Sequence, residues 1–187
     1  KQAFAAQNLA PLLHEPYFAW VDGVQATELF QSMIEPIIPF ALRGFLWYQG
    51  ESNLMAGDSH IYADKQIALM KAWRALWNRN DAPFYFVQLA PFNYSEWKKF
   101  PKRQTPLAWP AFAEVQSRIA LEPHTAMVIT TDLAGDATDI HPTQKKPIGL
   151  RLAKIALAQD YGHCQRITRS PAFAELIRSK ESIRVSF

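Results

Sequence analysis

Three short apolar runs, separated by longer segments of helical periodicity, constrain the fold of this chain most strongly. They cover residues 43–48, 84–89 and 126–131 and are rich in aromatic or β-branched side chains, which favour strands. The middle run is apolar almost throughout, which is typical of a parallel strand that is buried on both faces. The three runs therefore predict strands of one parallel sheet.

Each predicted strand is followed by a segment with the periodicity of an amphipathic helix. From residue 60 to 78 the apolar side chains recur at helical spacing, and the Gly-Asp-Ser segment at 57–59 offers capping side chains. A second helix is predicted around residues 112–119 and a third over residues 144–161, where Gly162 ends it. This order predicts an α/β fold with three layers, in which helices cover both faces of the sheet, as in half of a flavodoxin-like domain.

The first predicted strand ends abruptly in five small or polar residues, Gln49 to Asn53. Ligands of open α/β sheets bind outside the carboxyl ends of the strands, so this polar segment indicates a site. His141 follows the third strand by about ten residues and precedes a helix, which places it at the same edge. A neutral imidazole there can accept a hydroxyl proton and return it to a leaving alcohol, although a lone histidine before a proline is more often a surface residue.

Four separated segments resemble the sialate O-acetylesterase family, the carbohydrate esterases of the SGNH hydrolase superfamily. They are residues 33–40, 46–53, 83–92 and 139–142, and they occur in the order in which the family has them. Several motifs in register are a stronger signal than any one of them alone. The resemblance covers residues 29–162.

The resemblance implies a flavodoxin-like SGNH hydrolase fold of which this chain carries only the carboxyl half. Residues 1–28 are then an irregular lead-in, and residues 29–162 are the carboxyl half of the catalytic domain. Residues 163–187 are expected to form a tail that packs on the domain or on a missing partner segment.

The same resemblance makes His141 the catalytic base and calls for an aspartate that orients its imidazole. The usual superfamily spacing is Asp-x-x-His, but the residue three positions before His141 is Thr138. Asp139 is the first candidate, Asp136 and Asp132 are alternatives, and a backbone carbonyl could also orient the ring. Each of the three carboxylates could instead only cap a loop.

Residues of the polar segment after the first strand are implied as donors of the oxyanion hole. The side chains of Gln49 and Asn53 are expected to bind the oxygen that becomes negative during acyl transfer, and Gly50 is expected to permit a close approach. Glu51 is expected to hydrogen-bond to the backbone of the turn rather than to act on the substrate.

The nucleophile that the family requires is absent from the expected position. The family has it as a serine in a Gly-x-Ser-Asn motif after its first strand, and residues 1–42 contain no such motif. Ser52 and Ser59 are weak candidates, because both follow the family's third block and Ser59 is better explained as a helix cap. The nucleophile is therefore expected in an upstream amino-terminal half, lost by truncation or cleavage or present as a second chain.

The activity implied is that of a serine carbohydrate esterase, which removes O-acetyl groups from sialic acid or from acetylated plant polysaccharides such as xylan or xyloglucan. It needs no cofactor, and no metal site is expected because the histidines lack paired spacing. The alternatives are a non-catalytic carbohydrate-binding or assembly module, and a lipid or general acyl esterase of the same superfamily. The family resemblance also implies that the protein is secreted, periplasmic or lysosomal.

Composition argues against two other classes of partner. The formal charge of +3 is mild, and basic residues cluster only at Lys98, Lys99, Lys102 and Arg103, so nucleic acid is not expected. That cluster is more typical of a solvated loop than of an anion site. No apolar run approaches the roughly 18 residues of a membrane span, so no membrane partner is expected, and the single cysteine, Cys164, excludes a disulfide framework within this chain.

Four tryptophans require an interpretation as core or as sugar-binding residues. Trp73 and Trp77 match the apolar stripe of their predicted helix, so they are expected in the core. Trp97 and Trp109 lie in a long loop near the carboxyl edge of the sheet, where contact with sugar rings and a purely structural role are equally compatible with the sequence.

Overall fold

A three-stranded parallel sheet lies at the centre of the protein. The computed structural model describes residues 27–97, 104–163, 171 and 173–187. The basic cluster at 98–103, Cys164 and most of the expected lead-in lie outside these ranges.

The three strands are those that the apolar runs predict, each slightly shorter. They are β1 (Phe45–Trp47), β2 (Phe84–Val87) and β3 (Thr125–Val128), in the order β1-β2-β3. The parallel register aligns the first residue of each strand, Phe45 with Phe84 and Phe84 with Thr125. The three carboxyl ends therefore lie along one edge of the sheet.

Four α-helices accompany the sheet. They are α1 (Glu51–Ala56), α2 (Tyr62–Leu76), α3 (Ala108–Ile119) and α4 (Lys145–Gln159). Within the described ranges, no helix is long and apolar enough to cross a membrane. Shorter helical turns occur at Phe30–Ile34, Glu35–Ile37, Ser59–Ile61 and Tyr94–Glu96.

Alternating side chains of β2 enter two separate clusters of buried apolar residues. Phe84 and Phe86 face the cluster that contains α2 and α3, whereas Tyr85 and Val87 face the cluster that contains α4. All four side chains are buried, and a fully buried side chain of this size contributes about 1.5 to 3 kcal/mol. Helices thus cover both faces of the sheet, which confirms the predicted three-layer α/β arrangement.

Trp73 of α2 and Trp77, which directly follows the helix, pack against this core, as their spacing predicts. The ring centroids of Trp73 and Trp77 are 5.4 Å and 5.3 Å from that of Phe45, in tilted and edge-on geometries. Ring pairs in tilted and edge-on geometries stabilise a core by more than the burial of their apolar surface alone.

Gly50 allows β1 to turn almost directly into α1. Its φ is 147°, a conformation that side chains other than glycine rarely adopt, and a Cβ atom there would lie 3.0 Å from both Phe112 Cζ and the Tyr62 hydroxyl oxygen. The polar segment that the sequence presents as a turn is thus in part the first turn of a helix.

The start of α2 differs from the prediction. No side chain caps it: Ser59 begins a short 3₁₀ turn, and α2 starts at Tyr62. The Asp58 carboxylate instead accepts a 2.5 Å hydrogen bond from Lys65 Nζ. The cap assigned to Ser59 is therefore wrong, because the 3₁₀ turn that Ser59 begins places Ile61, not Ser59, at the N-cap position of α2.

Gly162 follows the end of α4 as the sequence predicts. Its φ is 70°, and the N–H of His163 donates a 2.8 Å hydrogen bond to the carbonyl oxygen of Leu157. The chain thus turns back at the end of α4, and glycine supplies the left-handed residue that commonly follows a helix.

The region after residue 163 contains a hairpin that its weak pattern does not predict. Strands β4 (Glu175–Arg178) and β5 (Ile183–Ser186) pair in antiparallel register. Every side chain of β4 is exposed, so no buried face imposes the alternation of apolar and polar residues by which strands are recognised.

Arg74, near the end of α2, forms hydrogen bonds to the backbone just before β2 and β3. Its guanidinium group is buried and donates hydrogen bonds of 2.9, 3.0 and 3.1 Å to the carbonyl oxygens of Ala82, Pro123 and His124. Burial lowers the pKa of Arg74 from its usual value, yet the group stays charged at neutral pH, because arginine is not deprotonated in proteins.

Replacing Arg74 with methionine should lower the free energy of unfolding by about 2 to 4 kcal/mol, because three carbonyl oxygens would lose their charged donor. Urea denaturation measures the change. Arg79→Met is the matched control: Arg79 pairs with Asp81 at the surface, so its loss should cost less than about 1 kcal/mol. Equal losses in the two variants would contradict the role given to Arg74.

The variant Gly50→Ala should lose about 2 kcal/mol or more of stability, because alanine is strained at this φ and its methyl group would meet Phe112. Gly149→Ala in α4 provides the comparison, since a Cβ atom there has no neighbour within 4 Å. That change should be neutral or stabilise the helix by up to about 1 kcal/mol. Thermal unfolding of both variants measures the difference, and a stable Gly50→Ala protein would contradict the geometry of the turn.

Candidate active site

Three segments that follow the strands meet at the carboxyl edge of the sheet. They are residues 48–53 after β1, 88–97 after β2 and 129–144 after β3. The N–H of Asn93 donates a 2.9 Å hydrogen bond to the carbonyl oxygen of Ala137, which joins the second segment to the third. This edge is where ligands of open parallel sheets bind.

The first segment presents two side-chain amides that are bonded to each other. Gln49 Nε2 donates a 3.1 Å hydrogen bond to Asn53 Oδ1, since the two residues lie one helical turn apart. The N–H of Gly50 donates to Glu51 Oε2 at 3.0 Å, so the carboxylate holds the turn and occupies that backbone donor. Asn53 Nδ2 makes no hydrogen bond with the described residues and remains able to donate.

Three tyrosines surround Glu51 and stay neutral. Burial raises the pKa of Tyr48, Tyr62 and Tyr94, and the charge of Glu51 raises each of them further. The Tyr62 hydroxyl donates a 2.9 Å hydrogen bond to the carbonyl oxygen of Gln49. The turn is thus fixed in part by the protonated Tyr62 phenol, which is a donor at neutral pH.

His141 lies on the third segment with 88% of its side chain exposed. Its backbone N–H donates a 2.8 Å hydrogen bond to Asp139 Oδ1, and the same oxygen is 3.7 Å from His141 Nδ1. This distance is too long for a hydrogen bond to the ring. The Asp139 carboxylate therefore holds the backbone of the histidine and lies beside its imidazole.

The other two candidate carboxylates are engaged elsewhere. Asp136 accepts a 2.8 Å hydrogen bond from the N–H of Thr138, which lowers the pKa of its carboxyl group. The Arg151 guanidinium pairs with both oxygens of Asp132 and lowers the pKa of that group. Arg151 also donates to the carbonyl oxygen of Ile129, so this ion pair anchors the start of the segment that carries His141.

Neither serine that the sequence offers as a weak nucleophile is hydrogen-bonded to the imidazole. Ser52 is exposed on α1, and Ser59 is partly exposed in the short turn before α2. Among the described residues, no serine hydroxyl makes a hydrogen bond with His141. The described residues thus place an aspartate beside the histidine, but they do not place a serine in hydrogen-bond contact with it.

The two tryptophans near this edge have structural contacts. Trp109 lies in α3 and its Nε1 donates a 3.0 Å hydrogen bond to the carbonyl oxygen of Leu89. The ring of Trp97 packs edge-on against Phe92, with centroids 5.6 Å apart. Within the described ranges, no group of three His, Cys, Asp or Glu side chains is arranged to hold a metal ion.

Two further residues at this edge were not identified from the sequence. Lys145 Nζ lies 4.7 Å from the centroid of the Tyr48 ring, a cation–π contact that joins the first turn of α4 to the end of β1. Gln88 is buried at the end of β2 and bonds to Thr130 and Thr131. Gln88 could have been identified from the sequence, because it is the one polar side chain capable of amide hydrogen bonds in the otherwise apolar run at 84–89.

Comparison with known proteins assigns the family. The profile of the family described as carbohydrate esterase, sialic acid-specific acetylesterase matches residues 16–158. Sialate O-acetylesterase of Rattus norvegicus is 29% identical over 175 residues, which cover 85% of this chain and 31% of that protein. Sialate O-acetylesterase of Homo sapiens is 29% identical over 160 residues, which cover 79% of this chain and 30% of that protein.

A solved structure agrees with this assignment. The crystal structure of a novel carbohydrate acetylesterase from Xanthomonas citri matches with a TM-score of 0.66 and 34% identity, over 78% of this chain and 32% of that chain. The chain thus spans about a third of the length of the proteins that it matches. With a family profile that covers most of the sequence and a matching parallel-sheet fold, the chain belongs to the carbohydrate esterase, sialic acid-specific acetylesterase family.

Proposed function

We propose that this chain forms the carboxyl half of the catalytic domain of a serine carbohydrate esterase that removes O-acetyl groups from sugars. The observation that carries the proposal is the Asp139–His141 pair on the segment after β3, at the edge that also carries the amides of Gln49 and Asn53. A base, an orienting carboxylate and amide donors are the parts that acyl transfer requires besides the nucleophile.

In the proposed reaction His141 moves a proton twice. It first accepts the proton of a serine hydroxyl as the serine oxygen attacks the acetyl carbonyl, and then gives that proton to the sugar oxygen as the ester bond breaks. Water next attacks the acetyl-serine while His141 accepts a water proton, and acetate leaves as the serine regains its hydrogen. The Asp139 carboxylate stabilises the imidazolium in both steps, once the ring turns to close the 3.7 Å gap.

The amides of the first segment are proposed to bind the oxyanion of each tetrahedral intermediate. Because the Gly50 N–H is taken by Glu51, the donors on this segment are the side chains of Gln49 and Asn53. Asn53 Nδ2 is free to donate, and Gln49 holds its partner oxygen at 3.1 Å. A donor fixed before the reaction loses no energy on reorganisation.

The exposed edge of the sheet supports a second part of this proposal, an upstream segment that supplies the nucleophilic serine. Leu46 of β1 is 66% exposed, on the sheet face where α4 covers β2 and β3. A groove of about 210 Å³ lies beside it, lined partly by Tyr85 and Tyr161. An unpaired apolar edge favours association with further strands, and the proposed amino-terminal half would provide both those strands and the serine.

The substrate class proposed is an O-acetylated sugar, either sialic acid or an acetylated plant polysaccharide such as xylan or xyloglucan. The curated relatives are named for sialate and the Xanthomonas citri protein for carbohydrate. Either substrate agrees with a secreted, periplasmic or lysosomal protein. A non-catalytic carbohydrate-binding module is the second candidate, favoured by the exposed His141 with no serine bonded to it in the described chain.

A serine-reactive phosphonate distinguishes these two functions. The intact mass of the purified protein is measured before and after treatment, while acetate release from acetylated sialic acid and acetylated xylan is followed. The proposal expects the label on a segment upstream of this sequence or on a second chain, together with acetate release. A label on Ser52 or Ser59 would contradict the upstream serine, and the absence of both label and acetate would favour the binding module.

The variant His141→Ala should lower kcat for acetate release by about 10² to 10⁴-fold, because the general base is lost. Its unfolding temperature should change little, since the imidazole makes no hydrogen bond with the described residues. His60→Ala is the control, as His60 is an exposed histidine in the turn before α2, and it should retain full activity. Similar kcat values for the two variants would rule out His141 as the base.

Asparagine substitutions distinguish two of the candidate aspartates, Asp139 and Asp136. Asp139→Asn should lower kcat by about 10 to 100-fold, because an amide cannot stabilise the imidazolium. Asp136→Asn should change kcat less than about twofold, since its carboxylate only caps Thr138. Steady-state kinetics of both variants provide the comparison, and a larger effect at Asp136 would reverse the assignment.

A further inference from the structure

Gln88 is a buried polar residue at the carboxyl end of the central strand. It follows β2 directly, and only 7% of the residue is exposed. Its N–H donates a 2.9 Å hydrogen bond to the carbonyl oxygen of Val128, which extends the pairing of β2 with β3. Gln88 therefore lies between the segment of residues 48–53 and the segment that carries His141, since β2 is the middle strand.

The oxygen of the Gln88 amide is committed to the segment after β3. Gln88 Oε1 accepts hydrogen bonds from the Thr130 N–H at 3.4 Å and from the Thr131 hydroxyl at 3.2 Å. The Thr130 hydroxyl in turn donates to the Gln88 carbonyl oxygen at 3.1 Å. A backbone N–H can only donate, so the amide oxygen must face Thr130 and the amide nitrogen must face away from it.

The nitrogen of the same amide has no partner among the residues that the structure describes. Gln88 Nε2 makes no hydrogen bond with any of them, and it keeps some contact with solvent although only 7% of the residue is exposed. The neighbouring buried glutamine differs: Gln116 Oε1 accepts from the Leu89 N–H at 2.9 Å, and Gln116 Nε2 donates to the Val87 carbonyl oxygen at 3.4 Å. The Gln88 amide is thus held through its oxygen, while the two hydrogens of its nitrogen are not bonded to any described residue.

We infer that Gln88 contacts the substrate, with its amide nitrogen donating a hydrogen bond to an oxygen of the acetylated sugar. The inference rests on the proposed esterase function and adds a specificity residue to it. A buried amide fixed through its oxygen offers a donor of defined position, and sites built on such donors reject ligands that lack the matching acceptor. The middle strand places this donor between the proposed oxyanion donors and the proposed base.

Gln88→Glu tests the contact without removing the hydrogen bonds that hold the side chain. A carboxylate still accepts from Thr130 and Thr131, but it has no donor and would repel a sugar oxygen. KM for acetylated sialic acid should rise at least tenfold. Because a buried carboxylate also lowers stability, KM is measured well below the unfolding temperature of the variant.

Two control variants separate the contact from a structural role. Gln116→Glu makes the same chemical change at the amide whose nitrogen is already bonded, so it should lower stability and leave KM unchanged. Thr131→Val removes one hydrogen bond to Gln88 Oε1 and should raise KM much less than Gln88→Glu. A KM for Gln88→Glu within twofold of the unmodified value would overturn the inference.

Two further measurements complete the test. One shows which oxygen of the substrate Gln88 contacts, and the other tests the contact even if the protein is not an esterase. An increase in KM for p-nitrophenyl acetate as well would place the contact at the acetyl group, and an increase for the sugar ester alone would place it at the sugar. Calorimetric binding of free N-acetylneuraminic acid needs no catalysis. Weaker binding by Gln88→Glu in a protein without esterase activity would retain the contact and reject the proposed function, whereas a protein that neither cleaves nor binds these sugars would overturn both.

Discussion

The parallel pairing of β2 with both of its neighbours is the constraint on which the rest of the structure depends. Because β2 is buried on both faces, its residues must be apolar and its backbone must be paired on both sides. That pairing brings the segments after all three strands to one edge. The residues proposed for the site are far apart in the sequence, and this register brings Gln49, Gln88 and the segment that carries His141 to the same edge.

The site is held by contacts that do not include the imidazole itself. Glu51 and Tyr62 fix the first segment through its backbone, Arg151 anchors the start of the third, and Asn93 joins the second to the third. The His141 side chain is exposed and free to turn. A rigid frame around a mobile base agrees with a site that is completed by another segment, which would bury the histidine and supply the serine.

The sequence predicts the strands and the main helices because burial imposes periodicity on them. The unbroken apolar run that forms β2 and the left-handed Gly162 are both direct consequences of packing or backbone geometry. The hairpin of β4 and β5 was missed because no buried face marks it. The cap at Ser59 was wrong because a 3₁₀ turn separates Ser59 from the start of α2. At the site, the roles of His141 and Asp139 remain predictions from family resemblance, whereas the bonds of Gln88 depend on residues 42 and 43 positions away and no local pattern reveals them.

The central claim is that His141 serves a serine from outside the described residues, and a crystal structure of the protein inhibited by a serine-reactive phosphonate tests it most directly. The account predicts a phosphonylated serine upstream of this sequence, with its Oγ within about 3.2 Å of His141 Nε2 and its phosphoryl oxygen facing Asn53. A labelled serine that lies elsewhere, or a His141 imidazole that still points into solvent beside the adduct, would contradict it.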